Sequence, residues 1–205
     1  MSEELTIRTS RGEAVEVRLS AHGERALGFW FYLMNDSVLF AILFVNFAVL
    51  LHGTAGGPTA ADIVSLSRAG IETALLLTSS LSFGFASICA LSANRRGTIG
   101  WLSATFILGA AFLVLETLEF AELIGQGAGP TRSGFLSAFF ALLGAHGLHV
   151  AFGLIGIVLM IVQVAKKGLT EPVLSRLYRL GLFWHFLDIV WIGIFSFVYL
   201  PGVLK

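Results

Sequence analysis

The chain has 205 residues, of which 56% are hydrophobic and only 13% are charged, and its mean hydropathy is +0.86. Soluble domains usually carry about 25% charged residues, so this composition indicates a membrane protein. Thirteen basic residues balance thirteen acidic ones, which argues against a nucleic-acid partner, and the single cysteine, Cys89, excludes an internal disulfide and any cysteine-based zinc or iron–sulfur site.

The predicted elements begin with a polar arm over residues 1–25, which mixes four arginines with five glutamates and lacks the apolar core of a cleavable signal peptide. Residues 26–205 are predicted to form one membrane domain, because they contain five apolar stretches long enough to cross a bilayer. These stretches lie at about 27–51, 70–92, 98–124, 134–165 and 178–200. They are continuous and do not alternate, so the predicted fold class is all-α, a polytopic bundle of five transmembrane helices.

The lysines and arginines are divided unevenly between the two sides of this predicted bundle. Ten of the thirteen fall in the arm, the 93–97 loop and the 166–179 segment, whereas Arg68, Arg132 and Lys205 fall on the other side. Cytoplasmic loops carry the excess of basic residues, so this division predicts a cytoplasmic N-terminus and a C-terminus outside, on the periplasmic side.

Ionisable side chains recur inside the predicted membrane helices. Each costs about 2.5–3.5 kcal/mol at a helix centre, so we expect these side chains to face other protein groups and to have partners. Pairs three positions apart share a helix face, which predicts a polar stripe directed into the bundle on each of the last three crossings. The candidates for a buried polar network, or for proton or lipid sites, are Asp36, Glu72, Glu116, Glu119, His146, His149, His185 and Asp188.

Four uses of these stripes stay open from the residues alone. Carboxylates and imidazoles on neighbouring helices occur in di-iron and haem sites, but di-iron bundles use Glu-x-x-His, and this chain has E-x-x-E, H-x-x-H and H-x-x-D instead. Carboxylates and histidines in membranes also conduct protons, and arginines and tryptophans near the interface hold lipid headgroups. The fourth use is structural, in which hydrogen bonds between helices fix their register.

Small residues predict close approach between helices. Gly100 with Ala104, and Ala141 with Ala145, are four positions apart on predicted helices. The four tryptophans are interpreted as core residues, lipid-facing bulk or interfacial anchors. Neither pattern predicts a catalytic or ligand-binding site.

Three segments together resemble subunit III of the haem–copper terminal oxidases. They are GFWFYLMNDSVLF at 28–40, RSGFLSAFFALLGAHGLHVAFG at 132–153 and FWHFLDIVWIGIFSFVYL at 183–200. The H-G-L-H-V sequence and the H-F-x-D-x-V-W sequence look like the two most distinctive stretches of that family. Subunit III of the cytochrome c oxidases typically has seven helices, so five predicted helices make the chain most similar to the subunit III of bo-type ubiquinol oxidases.

The resemblance implies an accessory subunit with no catalytic residue, no cofactor site and no metal site of its own. In that family the haems and the copper belong to subunit I, against which subunit III packs; subunit III binds phospholipid and supports assembly, stability and proton uptake. The implied partners are subunits I and II, with a small subunit IV, in the inner membrane of a bacterial cell. The parent complex oxidises ubiquinol, reduces dioxygen to water and translocates protons.

The resemblance also bears on single residues. Asp36 looks like the position at which many family members carry a glutamate, and the shorter aspartate favours hydrogen bonding within the bundle over a proton relay. Glu116 and Glu119 precede the H-G-L-H sequence and are candidates to pair with His146 or His149.

Two alternative functions remain from the sequence. One is subunit III of a cytochrome c oxidase, since subunits I and II select the electron donor. The other, from a different class, is an independent membrane metalloprotein or proton-coupled transporter, which the lack of an internal repeat and of Glu-x-x-His argues against.

Overall fold

The computed structural model describes residues 15–63 and 65–203, and these ranges form helices joined by turns, with no strand among the described residues. Five helices are long and apolar enough to cross a membrane, which confirms the predicted fold class. They are α1 (Val15–Leu50), α3 (Leu66–Leu91), α4 (Arg95–Gly125), α5 (Gly134–Lys167) and α6 (Glu171–Ile194). The short α2 (Ala60–Ile63) precedes α3, and a π-helical segment (Phe195–Tyr199) and the short α7 (Leu200–Val203) follow α6.

The chain divides into two compact units, residues 1–38 and 39–205. The described part of the first unit is the beginning of α1, in which Ser37 Oγ donates a hydrogen bond to the carbonyl oxygen of Leu33 at 2.8 Å. Residues 1–14 of the predicted polar arm lie outside the described residues, and α1 begins at Val15, within the arm's predicted range.

Local sequence sets the helix ends in the second unit. Asn94 and Ser133 precede α4 and α5, and each side-chain oxygen accepts a hydrogen bond from the backbone N–H three positions on, at 3.0 Å and 3.2 Å. Gly168 follows α5 with a φ of +70°, a conformation that favours glycine. Pro172 lies in the first turn of α6, where its missing N–H costs no helical hydrogen bond.

The helices are longer than the apolar stretches from which they were predicted. The last long helix begins at Glu171 instead of 178, α3 at Leu66 instead of 70, and α4 at Arg95 instead of 98. The apolar run marks only the part that fits the hydrocarbon, whereas each helix continues into polar flanks. The loop predicted at 166–177 is therefore reduced to 168–170.

Large aromatic side chains fill the middle of the second unit. Trp184 on α6 is 1% exposed, and its ring occupies space left by Gly109 on α4 and Gly153 on α5. A Cβ atom would lie 2.9 Å from the ring at Gly109 and 2.8 Å at Gly153. The helices described here do not approach closely at the predicted positions, because a Cβ at Gly100 would meet nothing within 4 Å among the described residues, and Ala141 is exposed.

Candidate functional site

Two buried indole groups tie α6 to α3. Trp184 Nε1 donates a hydrogen bond to Ser79 Oγ at 3.1 Å, and Trp191 Nε1 donates one to Thr73 Oγ1 at 3.0 Å. Both hydroxyls donate in turn to carbonyl oxygens of their own helix. Hydrogen bonds between membrane helices are worth about 0.6–2 kcal/mol each, so these two pairs fix the register of α6 on α3.

His146 lies fully buried on α5 among aromatic rings. Its ring centroid is 5.2 Å from that of Trp191 and 5.7 Å from that of Phe112. Nε2–H donates a hydrogen bond to the carbonyl oxygen of Leu187 at 3.3 Å. This nitrogen is therefore engaged with the backbone of α6, and the imidazole joins α5 to α6 in the core.

His149 lies one helical turn after His146 and is half-buried. Its Nδ1–H donates to the carbonyl oxygen of Ala145 on its own helix at 2.6 Å. Its ring centroid is 5.2 Å from that of Phe40, on the part of α1 that belongs to the second unit. The two histidines thus have separate surroundings although they share a helix.

His185 faces a groove on the outer surface between α3 and α6. The side chain is 47% exposed, and its Nδ1 is hydrogen-bonded to Ser80 Oγ at 2.6 Å and lies 3.8 Å from Oδ2 of the buried Asp188. The groove has a volume of about 420 Å³ and is otherwise lined by residues of α3, most of them apolar. The prediction that this stripe faces inward is therefore wrong for His185, because its neighbour Trp184 takes the inward position.

Three glutamates meet in the interior near the end of the bundle at which α3 begins. Glu72 on α3 and Glu116 and Glu119 on α4 are all buried and interact electrostatically with one another. Glu116 packs against α5 at Gly147, where a Cβ would lie only 2.5 Å from Glu116 Oε2. Glycine at this position therefore leaves the space in which the carboxyl group sits.

The same end of the bundle connects the glutamates to the surface. Tyr199 Oη donates a hydrogen bond to Glu119 Oε2 at 3.4 Å. Arg68 forms an ion pair of 2.9 Å with Glu122, and both side chains are partly exposed. Arg68 also interacts electrostatically with Glu72 and Glu119, which links the surface ion pair to the buried carboxyl groups.

Asp36 belongs to the first unit, where it is buried on the same face of α1 as Leu33. Within the second unit, the structure thus brings Glu72, Glu116 and Glu119 together, and separately pairs His185 with Asp188. The pairing of Glu116 with a histidine does not occur, since neither of its carboxyl oxygens has a hydrogen-bond partner among the described residues.

Several of the hydrogen bonds and ion pairs described above are made by residues that the sequence did not single out as candidates. They are the hydroxyl groups of Thr73, Ser79 and Tyr199 and the guanidinium of Arg68. Serine and threonine are common in membrane helices, so the sequence does not show which of them bind a partner. Two features of the sequence pointed to these contacts. One is the charge of Arg68 beside a long apolar run, and the other is the seven-residue spacing of Trp184 and Trp191, which places both on one helix face.

A metal or haem site would need several donor side chains close together and, for a haem, an open space beside a histidine. Within residues 15–63 and 65–203, no group of three or more His, Cys, Asp and Glu side chains is placed so that it could hold a metal ion. The space beside His146 is filled by Trp191 and Phe112, which leaves no room for a porphyrin. Among the described residues, therefore, no set of donors is placed to hold a metal ion, and the surroundings of His146 do not fit a haem.

Comparison with known proteins identifies the family. The family model described as cytochrome c oxidase subunit III matches residues 6–203. The cytochrome bo(3) ubiquinol oxidase subunit 3 of Pseudomonas putida is 52% identical over 178 residues, covering 87% of this chain and 86% of the relative. The protein of the same name from Pseudomonas aeruginosa is 50% identical over 182 residues, with 89% and 87% covered.

A relative named for a different electron donor is also similar. The cytochrome c oxidase subunit 3 of Alkalihalophilus pseudofirmus is 43% identical over 194 residues, covering 90% of this chain and 94% of the relative. These matches confirm the resemblance found in the three sequence segments. With five membrane-length helices and a match over nearly its whole length, this chain is an integral membrane protein that belongs to the cytochrome c oxidase subunit III family.

Proposed function

We propose that this chain is subunit III of a proton-translocating bo-type ubiquinol oxidase, in which it serves as an accessory subunit and carries no redox centre. The observation that carries the proposal is the identity of about half of all aligned positions with two relatives named cytochrome bo(3) ubiquinol oxidase subunit 3. The complex as a whole would oxidise ubiquinol, reduce dioxygen to water and translocate protons.

The contacts of the interior support an accessory role. The indole groups of Trp184 and Trp191 and the imidazole of His146 each join two helices by a hydrogen bond. Such bonds hold helices in register, which is what a subunit needs in order to present a constant surface to its neighbours. The buried aromatic and polar groups thus act as the framework of the subunit.

The proposed partners are subunits I and II and a small subunit IV, with the haems and the copper in subunit I. The helices of the described chain expose many large apolar side chains, such as Ile107 on α4, Phe152 on α5 and Ile189 on α6. In a membrane these faces contact either lipid or another subunit. Bound phospholipid is part of the proposal, and so is support of proton uptake into subunit I, with Asp36 as the candidate carboxylate.

The proposed placement is the inner membrane of a bacterial cell, with the N-terminus in the cytoplasm and the C-terminus outside. The short turns at 92–94 and 168–170 would both face the cytoplasm. Arg95, Arg96, Lys166 and Lys167 flank these turns, as the positive-inside rule requires. Residues 1–25 are proposed as a cytoplasmic arm and residues 26–205 as the membrane domain.

A second candidate is subunit III of a cytochrome c oxidase. The specific observation in its favour is the 43% identity with a cytochrome c oxidase subunit 3 over 90% of this chain. The two candidates place the same subunit in complexes with different electron donors, so the fold of this chain supports both. The higher identity with the two ubiquinol oxidase subunits favours the first.

The test is purification of the complex through an affinity tag on this chain, followed by measurement of oxygen consumption with two donors. We expect the tag to co-purify larger haem-containing subunits that oxidise ubiquinol and do not oxidise reduced cytochrome c. Activity with cytochrome c and none with ubiquinol would replace the first candidate by the second. Purification of this chain alone from gently solubilised membranes would contradict both.

A further inference from the structure

Three carboxyl groups lie together inside the subunit, apart from any established site. Glu72 on α3 is 0% exposed, and Glu116 and Glu119 on α4 are each 2% exposed. Glu116 interacts electrostatically with both of the others, and Glu72 interacts with Glu119. The cluster therefore spans the contact between α3 and α4, and Gly147 of α5 covers it beside Glu116.

Two members of the cluster accept no hydrogen bond that would stabilise a negative charge. Neither carboxyl oxygen of Glu72, and neither of Glu116, has a hydrogen-bond partner among the described residues. Glu119 accepts a single hydrogen bond, from Tyr199 Oη at 3.4 Å. A lone buried carboxylate costs several kcal/mol even after relaxation, so something other than protein groups must neutralise these side chains.

The charged and titratable groups around the cluster are few. On α3 the nearest is Arg68, which is held at the surface by its 2.9 Å ion pair with Glu122 of α4. The π-helical segment after α6 contributes Tyr199. On α5 the nearby His146 donates to the carbonyl oxygen of Leu187 and is enclosed by aromatic rings. One arginine, already paired, cannot balance three buried carboxylates.

We propose that Glu72, Glu116 and Glu119 form a proton-binding site that holds at least one proton at neutral pH and exchanges it with the membrane surface beside Arg68 and Glu122. Like charges held close together in an apolar interior disfavour ionisation of every member, and a bound proton removes the charge that the protein leaves unpaired. A metal ion is the competing ligand, and the described residues offer no group of three donors placed to hold one. This site is distinct from Asp36, and it exists whichever electron donor the complex uses.

The π-helical segment Phe195–Tyr199 contributes Tyr199 to the site. Tyr199 reaches Glu119 because the π turn places it on the buried face of the last helix. π turns occur frequently at functional sites, where the wider turn redirects a side chain. Tyr199 is thereby a positioning residue that holds the carboxyl group of Glu119 beside the other two.

The test is infrared spectroscopy of the purified complex, because a protonated carboxylic acid has a carbonyl stretching band that carboxylates lack and that shifts in deuterium oxide. We expect Glu116→Gln to assemble at the wild-type level, since glutamine matches the neutral acid in size, and to lose one component of this band. Glu116→Asp should restore a component at a changed frequency. The matched control is Glu171→Gln, which alters an exposed carboxylate in the first turn of α6 and should leave the band unchanged.

Three outcomes would overturn the proposal. The first is an acid band that is identical to the wild type in each of the variants Glu72→Gln, Glu116→Gln and Glu119→Gln, since no member of the cluster then holds a proton. The second is failure of Glu116→Gln to assemble while Glu171→Gln assembles, since a negative charge would then be required. The third is loss of the wild-type acid band on addition of sodium or calcium ions, which would make the site a cation site. None of these outcomes bears on the choice between ubiquinol and cytochrome c, which the two-donor assay decides separately.

Discussion

At the scale of single residues, glycines decide where large or polar side chains enter the interior. Gly109 and Gly153 leave the slot in which the ring of Trp184 lies, and Gly147 leaves room for the carboxyl group of Glu116. A methyl group at any of these positions would meet a buried atom at 2.9 Å or less. The positions of these side chains therefore depend on residues that make no hydrogen bonds themselves.

Gly153→Ala is expected to destabilise the subunit by about 1–3 kcal/mol, the usual cost of overpacking a core. The new methyl group would lie 2.8 Å from the ring of Trp184, and the ring has no free direction of movement because Gly109 and Ser79 hold its other side. The measurement is the temperature at which the purified complex releases this subunit, which should fall relative to the wild type.

Gly144→Ala is the matched control on the same helix. A Cβ at Gly144 would lie 4.0 Å from the ring of Phe120, which is an ordinary contact distance. Alanine also favours the helical conformation by about 1 kcal/mol over glycine, so this variant should be at least as stable as the wild type. An equal loss of stability in the two variants would contradict the packing argument.

The buried ionisable residues could be predicted from the sequence, and most of their partners could not. A glutamate such as Glu72 or Glu116 stands out in an apolar segment because its burial is costly. Thr73 and Ser79 do not stand out, because a hydroxyl group can always bond to its own helix and is cheap to bury. His185 was expected inside and its side chain is 47% exposed, although Asp188 three positions on is buried, because the neighbouring Trp184 takes the inward position.

At the scale of elements, the π-helical segment Phe195–Tyr199 lets α6 and its continuation present one buried face. Trp191 and Tyr199 are eight positions apart, which would place them about 80° apart around a regular α-helix. The wider π turn rotates less per residue, so both side chains are buried and their ring centroids are 6.0 Å apart. One extra residue in the turn thus keeps Tyr199 in contact with Glu119.

Deletion of Ser196 is therefore expected to be tolerated. Removing one residue from a π turn leaves a regular helix in which Trp191 and Tyr199 are separated by seven positions, about 20° from the same face. Deletion of Ile189 is the control, because this exposed residue lies in the regular part of α6 and its loss would rotate Trp191 by about 100°. The amount of assembled, haem-containing complex should be near the wild-type level for the first deletion and strongly reduced for the second.

Comparable losses in the two deletions would show that the π turn has no such role.

The number of long helices followed from the sequence because an apolar run of membrane length has few alternatives. The π segment and the short α2 did not follow, since each depends on contacts with other elements and not on local hydropathy. The start of α4 was displaced for a similar reason, because the cap at Asn94 extends this helix beyond the apolar run.

At the scale of the whole molecule, this chain has the features of a subunit and not of an independent enzyme. Several polar groups of its described interior join its own helices, and its outer faces expose many large apolar side chains. Family membership followed from three sequence segments because they contain the residues that fill the core, including His146, Trp184 and Trp191. The electron donor did not follow from them, because relatives named for ubiquinol and for cytochrome c are both similar to this chain.

We expect that this subunit holds no redox centre, and removal of the chain from its complex tests this directly. The reduced-minus-oxidised absorption spectrum is recorded for the purified complex, and again for the stripped complex and the released chain after treatment with a harsher detergent. We expect every haem band to stay with the larger subunits and none with the released chain. A haem or metal absorption band that travels with this chain would contradict the account.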